Sequence, residues 1–255
     1  MLNKVPEVTI YFWVIKILAT TVGESAADFL NTTLGFGLTG TSIAMTVILA
    51  AVLVAQFRAR RYLPTLYWSA VVLISIVGTL ISDNLTDNLG VPLEVSTAVF
   101  ALTLAVTFTA WYAKEKTLSI RSVDSSTREA YYWLAVLFTF ALGTSAGDLL
   151  SERLDLGYLR AAAIFGAAIA VVALARYAMR LNLVLAFWVA YVLTRPFGAS
   201  IGDYLSQASD DGGIGLGTVA TSGLFLTTIV GVVAFLSWSK RDVAIAARIP
   251  APDAV

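Results

Sequence analysis

The chain has no cysteine and no histidine among its 255 residues. That removes disulfides, thiolate nucleophiles and imidazole metal ligands together, and with them any inference about redox compartment. Charge is scarce as well. Asp, Glu, Lys and Arg make up 13% of the chain, about half the roughly 25% of soluble domains. The 17 bases balance the 17 acids, so no net charge points to a nucleic-acid partner. No glycine-rich phosphate loop follows a strand, and no paired-carboxylate hydrolase pattern stands in a polar segment. The reading is therefore of a protein that is not an enzyme and holds no cofactor. The first seven residues lack the basic flank and small-residue cleavage site of a signal peptide, so the first helix is expected to be retained.

What the chain has instead is apolar length. It is 58% hydrophobic with a mean hydropathy of +0.80, and runs of 18 or more apolar residues recur along it. The expectation is an all-α membrane protein whose principal partner is the lipid bilayer. Eight spans account for nearly everything: about 8–30, 38–57, 64–85, 92–113, 130–150, 159–179, 181–205 and a last one ending at Trp238. Pro64 opens the third at a favourable first-turn position. The polar stretch 114–129 is the natural joint between two halves, and the tail after Arg241 has no evident structure.

Inside those spans one short motif occurs four times. It reads Gly23-Glu24-Ser25-Ala26-Ala27-Asp28, Ser82-Asp83-Asn84-Leu85-Thr86-Asp87, Gly143-Thr144-Ser145-Ala146-Gly147-Asp148 and Gly198-Ala199-Ser200-Ile201-Gly202-Asp203. Trp13, Trp133 and Trp188 stand ten residues before three of the copies. The second copy has Val72 there, with Trp68 one turn earlier. A recurring spacing with matched landmarks is an internal repeat. The units are read as approximately 8–57, 64–113, 130–179 and 181–239, each of two helices.

Basic residues orient the repeats. Lys4, Arg58, Arg60, Arg61, Lys114, Lys116, Arg121, Arg128, Arg176, Arg180, Lys240, Arg241 and Arg248 fall on one side, and only Arg153 and Arg160 on the other. The positive-inside rule then puts both termini in the cytoplasm of a multi-pass protein of the bacterial inner membrane. All four repeats run in the same sense, and the motif-bearing odd helices are expected to surround a common polar axis.

Residues four apart share a helix face. The first odd helix lines up Lys16, Thr20, Glu24 and Asp28, and the second Ser75, Thr79, Asp83 and Asp87. The third lines up Val136, Phe140, Thr144 and Asp148, and the fourth Tyr191, Arg195, Ala199 and Asp203. A charge facing hydrocarbon costs about 2.5–3.5 kcal/mol on insertion scales, so these stripes should face the interior. Six acids, Glu24, Asp28, Asp83, Asp87, Asp148 and Asp203, then outnumber Lys16 and Arg195. An oxygen-only, net-negative site suits a hard divalent cation such as Mg²⁺, Mn²⁺ or Ca²⁺, and equally Na⁺ or protons. Thr20, Thr79 and Thr144 would supply neutral oxygens, and Lys16 and Arg195 internal counter-charges paired with the acids. The four final Asp also have a structural reading as helix-end or packing residues. Gly143/Gly147 and Gly198/Gly202 read as close-approach pairs, and the Trp as interfacial or packing residues.

The opening Lys4-Val5-Pro6-Glu7-Val8, followed by Phe12-Trp13-Val14-Ile15-Lys16 and Thr20-Thr21-Val22-Gly23-Glu24, resembles a bacterial membrane family of unknown function. That family is built from a two-helix repeat usually present four times. The resemblance covers roughly residues 4–240 and implies the repeat architecture but no activity. From the residues, the first expectation is a small transporter of a divalent metal cation. An organic-solute or anion carrier using Lys16 and Arg195 is the second. A structural or sensory membrane protein whose stripes pair only with one another is the third.

Overall fold

The computed structural model describes residues 3–243, and among them it has eight long helices and no strand. They are α1 (Ile10–Asp28), α2 (Gly37–Arg58), α3 (Pro64–Asp83), α4 (Leu93–Glu115), α5 (Ser126–Asp148), α6 (Tyr158–Ala178), α7 (Leu183–Ser206) and α8 (Thr218–Ser239). Each is long and apolar enough to cross a membrane. The expected tail after Arg241 lies largely outside the described residues.

Local chemistry sets several ends. Pro64 sits in the first turn of α3, where its missing N–H is no loss. Asn182 Oδ1 accepts from the Val184 and Leu185 amides, opening α7. Lys116 and Lys240 adopt left-handed φ values of 56° and 53° and stop α4 and α8. The first three odd helices do not simply stop at their Asp. Each widens into one π-helical turn, Phe29–Thr33, Asn84–Asn88 and Leu149–Arg153. α7 has no such turn and runs through Pro196 as one helix.

The polar stripes decide which helices go inside. In their most apolar windows the odd helices bury 56–67% of residues, the even ones at most 28%. Even helices are apolar nearly all round and show Ile43, Val47, Val99, Leu102, Val171 and Val230 on their outer faces, as lipid-facing helices do.

α1 packs against α3 and α7, and α5 packs against the same two, so the odd helices close a four-membered ring. The even helices follow a less obvious rule. Each lies mainly on the odd helix of the following repeat: α2 on α3, α4 on α5, α6 on α7, and α8 back on α1.

Four glycines fix the register of this ring. A Cβ on Gly23 would collide with Ser75, on Gly78 with Phe140, on Gly143 with Arg195, and on Gly198 with Thr20. In each case the obstacle belongs to the next odd helix in cyclic order. Equivalent positions are therefore 23, 78, 143 and 198, with steps of 55, 65 and 55. The second motif is Gly78-Thr79-Leu80-Ile81-Ser82-Asp83, one turn before the stretch expected from sequence. Trp68 takes its place beside Trp13, Trp133 and Trp188. Asp83 aligns with Asp28, Asp148 and Asp203, and Thr79 with Glu24.

The end of the ring where the odd helices begin carries nearly all the bases, and the other end carries the Asp; they are called the basic and acidic ends. The basic end is sealed twice. Aromatic side chains fill its centre: Phe12 packs tilted against Phe187 and Tyr191 at 5.9 and 6.3 Å, and Tyr67 against Trp133 at 5.4 Å. The Tyr67 and Tyr132 hydroxyls bond one another. Below them, Lys4 is buried. Its Nζ donates to Glu129 Oε2 at 2.6 Å and to the Phe57 carbonyl at 3.0 Å, while Gln56 Nε2 donates to Glu129 Oε1 at 3.3 Å.

Candidate functional site: a charged axis inside the ring

With the register set, the axis reads as layers one helical turn apart, each holding one residue from every odd helix. Above the aromatic seal comes Lys16 with Val71, Val136 and Tyr191. Next are Thr20, Ser75, Phe140 and Arg195, then Glu24, Thr79, Thr144 and Ala199. All of these are buried. Asp28, Asp83, Asp148 and Asp203 form the last layer, where the first three become partly exposed and Asp203 stays buried. The axis is thus closed at the basic end and opens toward solvent at its Asp.

Arg195 is the centre of the polar layers. Its Nη2 donates to Glu24 Oε2 at 2.7 Å, to Thr144 Oγ1 at 2.6 Å and to Thr79 Oγ1. Its Nη1 donates to the Thr20 carbonyl at 3.4 Å. One side chain on α7 therefore ties α1, α3 and α5. The reach depends on Gly143, which leaves room for the Arg195 stem where any Cβ would strike it. Thr79 Oγ1 donates to Glu24 Oε2 at 3.3 Å. The expectation that Arg195 pairs with an acid holds, and the acid is Glu24.

Lys16 departs from the same expectation. Its Nζ has no hydrogen-bond acceptor among the described residues. It lies instead over the rings of Phe140 at 4.1 Å and Tyr191 at 4.4 Å. The rings' negative faces take the place of a carboxylate, because Glu24 two turns along α1 is engaged by Arg195. Thr20 departs too. Its hydroxyl donates to the Ile17 carbonyl at 2.5 Å and is turned toward the Thr194 carbonyl at 3.4 Å, so it serves packing rather than a ligand.

The six acids do not form one set. Asp83 lies within electrostatic reach of Glu24, Asp28 and Asp148, and last of Asp87, and Asp203 of the first three and of Arg195. Asp87 lies on the π turn, exposed, one helical turn beyond the layer, with Thr86 Oγ1 donating to it at 3.0 Å. Among the described residues no three acids converge closely enough to hold a metal ion. The expected six-acid cluster is therefore a layer of four Asp, one acid in an ion pair, and one outlying Asp.

Two features escaped the sequence. The buried Lys4–Glu129 pair reads in sequence as two surface charges near span ends. The aromatic seal did leave a signal, an aromatic residue directly before the Trp of each odd helix: Phe12-Trp13, Tyr67-Trp68, Tyr132-Trp133 and Phe187-Trp188.

Taken together these features define a class: a repeat-built helical bundle whose helices are long and apolar enough to span a membrane, with four tandem two-helix units closed around a charged axis. The chain belongs to the family described as Repeat of Unknown Function (DUF347), which matches residues 11–62, 66–117, 131–182 and 186–242. Those four starting points have the same steps of 55, 65 and 55 as the glycines and the Trp residues. No curated protein and no solved structure matches the chain.

Proposed function

We propose that the protein carries a small cation across the inner membrane of a bacterium along this axis. The observation that carries the reading is the one-ended layer of four Asp, open at the acidic end and backed by the buried Glu24–Arg195 pair. With all groups ionised, five acids (Glu24, Asp28, Asp83, Asp148 and Asp203) face two bases, so the interior attracts positive charge. A cation reaching Glu24 does the work that the guanidinium does in its absence. Exchange of one for the other couples occupancy to the Arg195 clasp that ties α1, α3 and α5. Both termini lie in the cytoplasm, by the charge rule, and the Asp layer faces outward. The divalent ion favoured by the sequence requires the four Asp to draw together around it.

The test is flux into proteoliposomes and melting of the purified protein across Mn²⁺, Mg²⁺, Ca²⁺ and Na⁺. A cation at a hundredfold excess over its Kd stabilises by about 2.7 kcal/mol. That shift is expected for one of the panel, and Glu24→Gln with Asp83→Asn should abolish it. No flux and no shift with any cation would overturn the proposal.

One observation favours a second reading. Lys16 is a fully buried donor with no acceptor among the described residues, which suits an organic anion that reaches past the Asp layer. In that case a carboxylate-bearing solute, not a metal, should shift the melt, and Lys16→Met should remove the effect.

A further inference from the structure

A groove of about 450 Å³ lies on the outside of the ring at the basic end, away from the axis. α6 and α7 form its long walls, and the start of α1 and the 118–121 segment close one side. Its composition changes along its length. Toward the middle of the bundle the walls are apolar, with Ile169 and Val172 on α6 and Ala190 on α7. At the basic end they carry two arginines, Arg121 and Arg176. From Arg176 to Ile169 is seven residues of helix, about 10 Å.

Neither arginine is used up by the protein. Arg176 is half-buried, yet it makes no hydrogen bond or ion pair with a described residue. Arg121 has only a loose approach to Glu7, at 3.7 Å, with both side chains largely or partly in solvent, and such pairs contribute little. Two guanidinium groups thus stand at the mouth of an apolar trough with their donors still available. The trough points along the helices toward the interior of the bilayer.

We propose that this groove is a binding site for one anionic phospholipid, its phosphate held between Arg121 and Arg176 and an acyl chain laid along α6 and α7. The polarity gradient argues for a lipid over a soluble anion. A free phosphate would use the arginines and leave the apolar trough unexplained, whereas a lipid has a chain to place there. Basic pockets between membrane helices on the cytoplasmic side are suited to anionic head groups, and Trp13, which also lines the groove, belongs at that depth.

The test uses the whole chain, delipidated in detergent, titrated with phosphatidylglycerol and with phosphatidylcholine of the same acyl chains, and read by native mass spectrometry. Phosphatidylglycerol should be retained preferentially as a single tight adduct. Arg121→Gln and Arg176→Gln should each weaken it by about fivefold, while Arg60→Gln with Arg61→Gln, in an exposed turn outside the groove, should not. Ala173→Phe, which fills the trough and leaves both arginines in place, should also weaken it. The lipid ratio for the unmodified protein needs no variant to fold. Equal retention of the two lipids would overturn the site, as would equal loss in the Arg60/Arg61 control. Retention unaffected by Ala173→Phe would reduce it to a bare anion contact and overturn the lipid assignment.

Discussion

Breaking the Arg195 clasp tests the core of the structure most directly. The pair with Glu24 is shut away, with side chains 0% and 9% exposed, so solvent screening offers little relief when one member is removed. Arg195→Met keeps the volume of the stem and deletes the charge. It leaves Glu24 buried with only Thr79 donating to it, while the Thr144 hydroxyl keeps its bond to the Phe140 carbonyl at 3.2 Å. Removing one partner of such a pair costs roughly 3–5 kcal/mol. At this chain length each kcal/mol moves a melting point by roughly 2–4 °C, so a drop on the order of ten degrees is expected. Glu24→Gln alone should also destabilise, because Arg195 then lacks its counter-charge. The double variant removes both charges and should be more stable than Arg195→Met alone. Tryptophan fluorescence in detergent reads the melt well, since Trp68, Trp133 and Trp188 are all buried near the seal. If the two losses simply add, to within about 0.5 kcal/mol, the pair is not an energetic unit and the clasp reasoning fails.

Other outcomes follow from packing, pH and topology. Gly198→Ala should cost about 1–3 kcal/mol by overpacking against Thr20, partly recovered by Thr20→Ala. Gly231→Ala, in open space on α8, should be neutral or stabilising by about 0.5–1 kcal/mol. The same melts decide, and a harmless Gly198→Ala would contradict the close approach of α7 to α1. Tyr62, in the turn before α3, donates to Asp242 Oδ2 at 2.5 Å; burial first, then the Asp242 charge, hold its phenol far above the usual range. A raised folded-state value means the contribution is intact below about pH 10 and is lost as pH climbs beyond it. Tyr62→Phe should therefore flatten the alkaline fall in stability, and an unchanged alkaline limb would count against this. Cysteines placed at the exposed Ser126 and Ser209 lie at opposite ends; only the Ser209 site should label from outside intact cells, and labelling at Ser126 would reverse the orientation.

The repeats and the buried polar stripes were legible because lipid forces charge inward, so position on a stripe already implies a place on the axis. The register of the second repeat was not. Asp83 and Asp87 are one helical turn apart and share a face, so a motif shifted by four residues satisfies the same periodicity. Distance from Trp68 to Gly78 settles it, being the same ten residues as in the other copies, but matching Glu24 and Asp28 to the acid pair Asp83 and Asp87 draws the register one turn too far. The fate of Lys16 was hidden for a different reason. Whether a buried base meets a carboxylate or an aromatic ring depends on which neighbour Arg195 has already taken, and that is a matter of three helices at once.

The pairing of each even helix with the next repeat's odd helix means that the four units form a loop with no privileged beginning. The amide of Glu7 donates to the carbonyl of Asp242 at 2.9 Å, so the place where the loop is cut is simply one of four similar seams. A circular permutant opened between α2 and α3, with a short linker joining Val243 to Asn3 so that Lys4 keeps Glu129, should rebuild the same bundle. The seam also means that no hairpin can finish its own packing: α1 waits for α8, the eighth helix in chain order. Until α8 is made, the face of α1 that it covers has no protein partner, and the ring of repeats stays open at that seam.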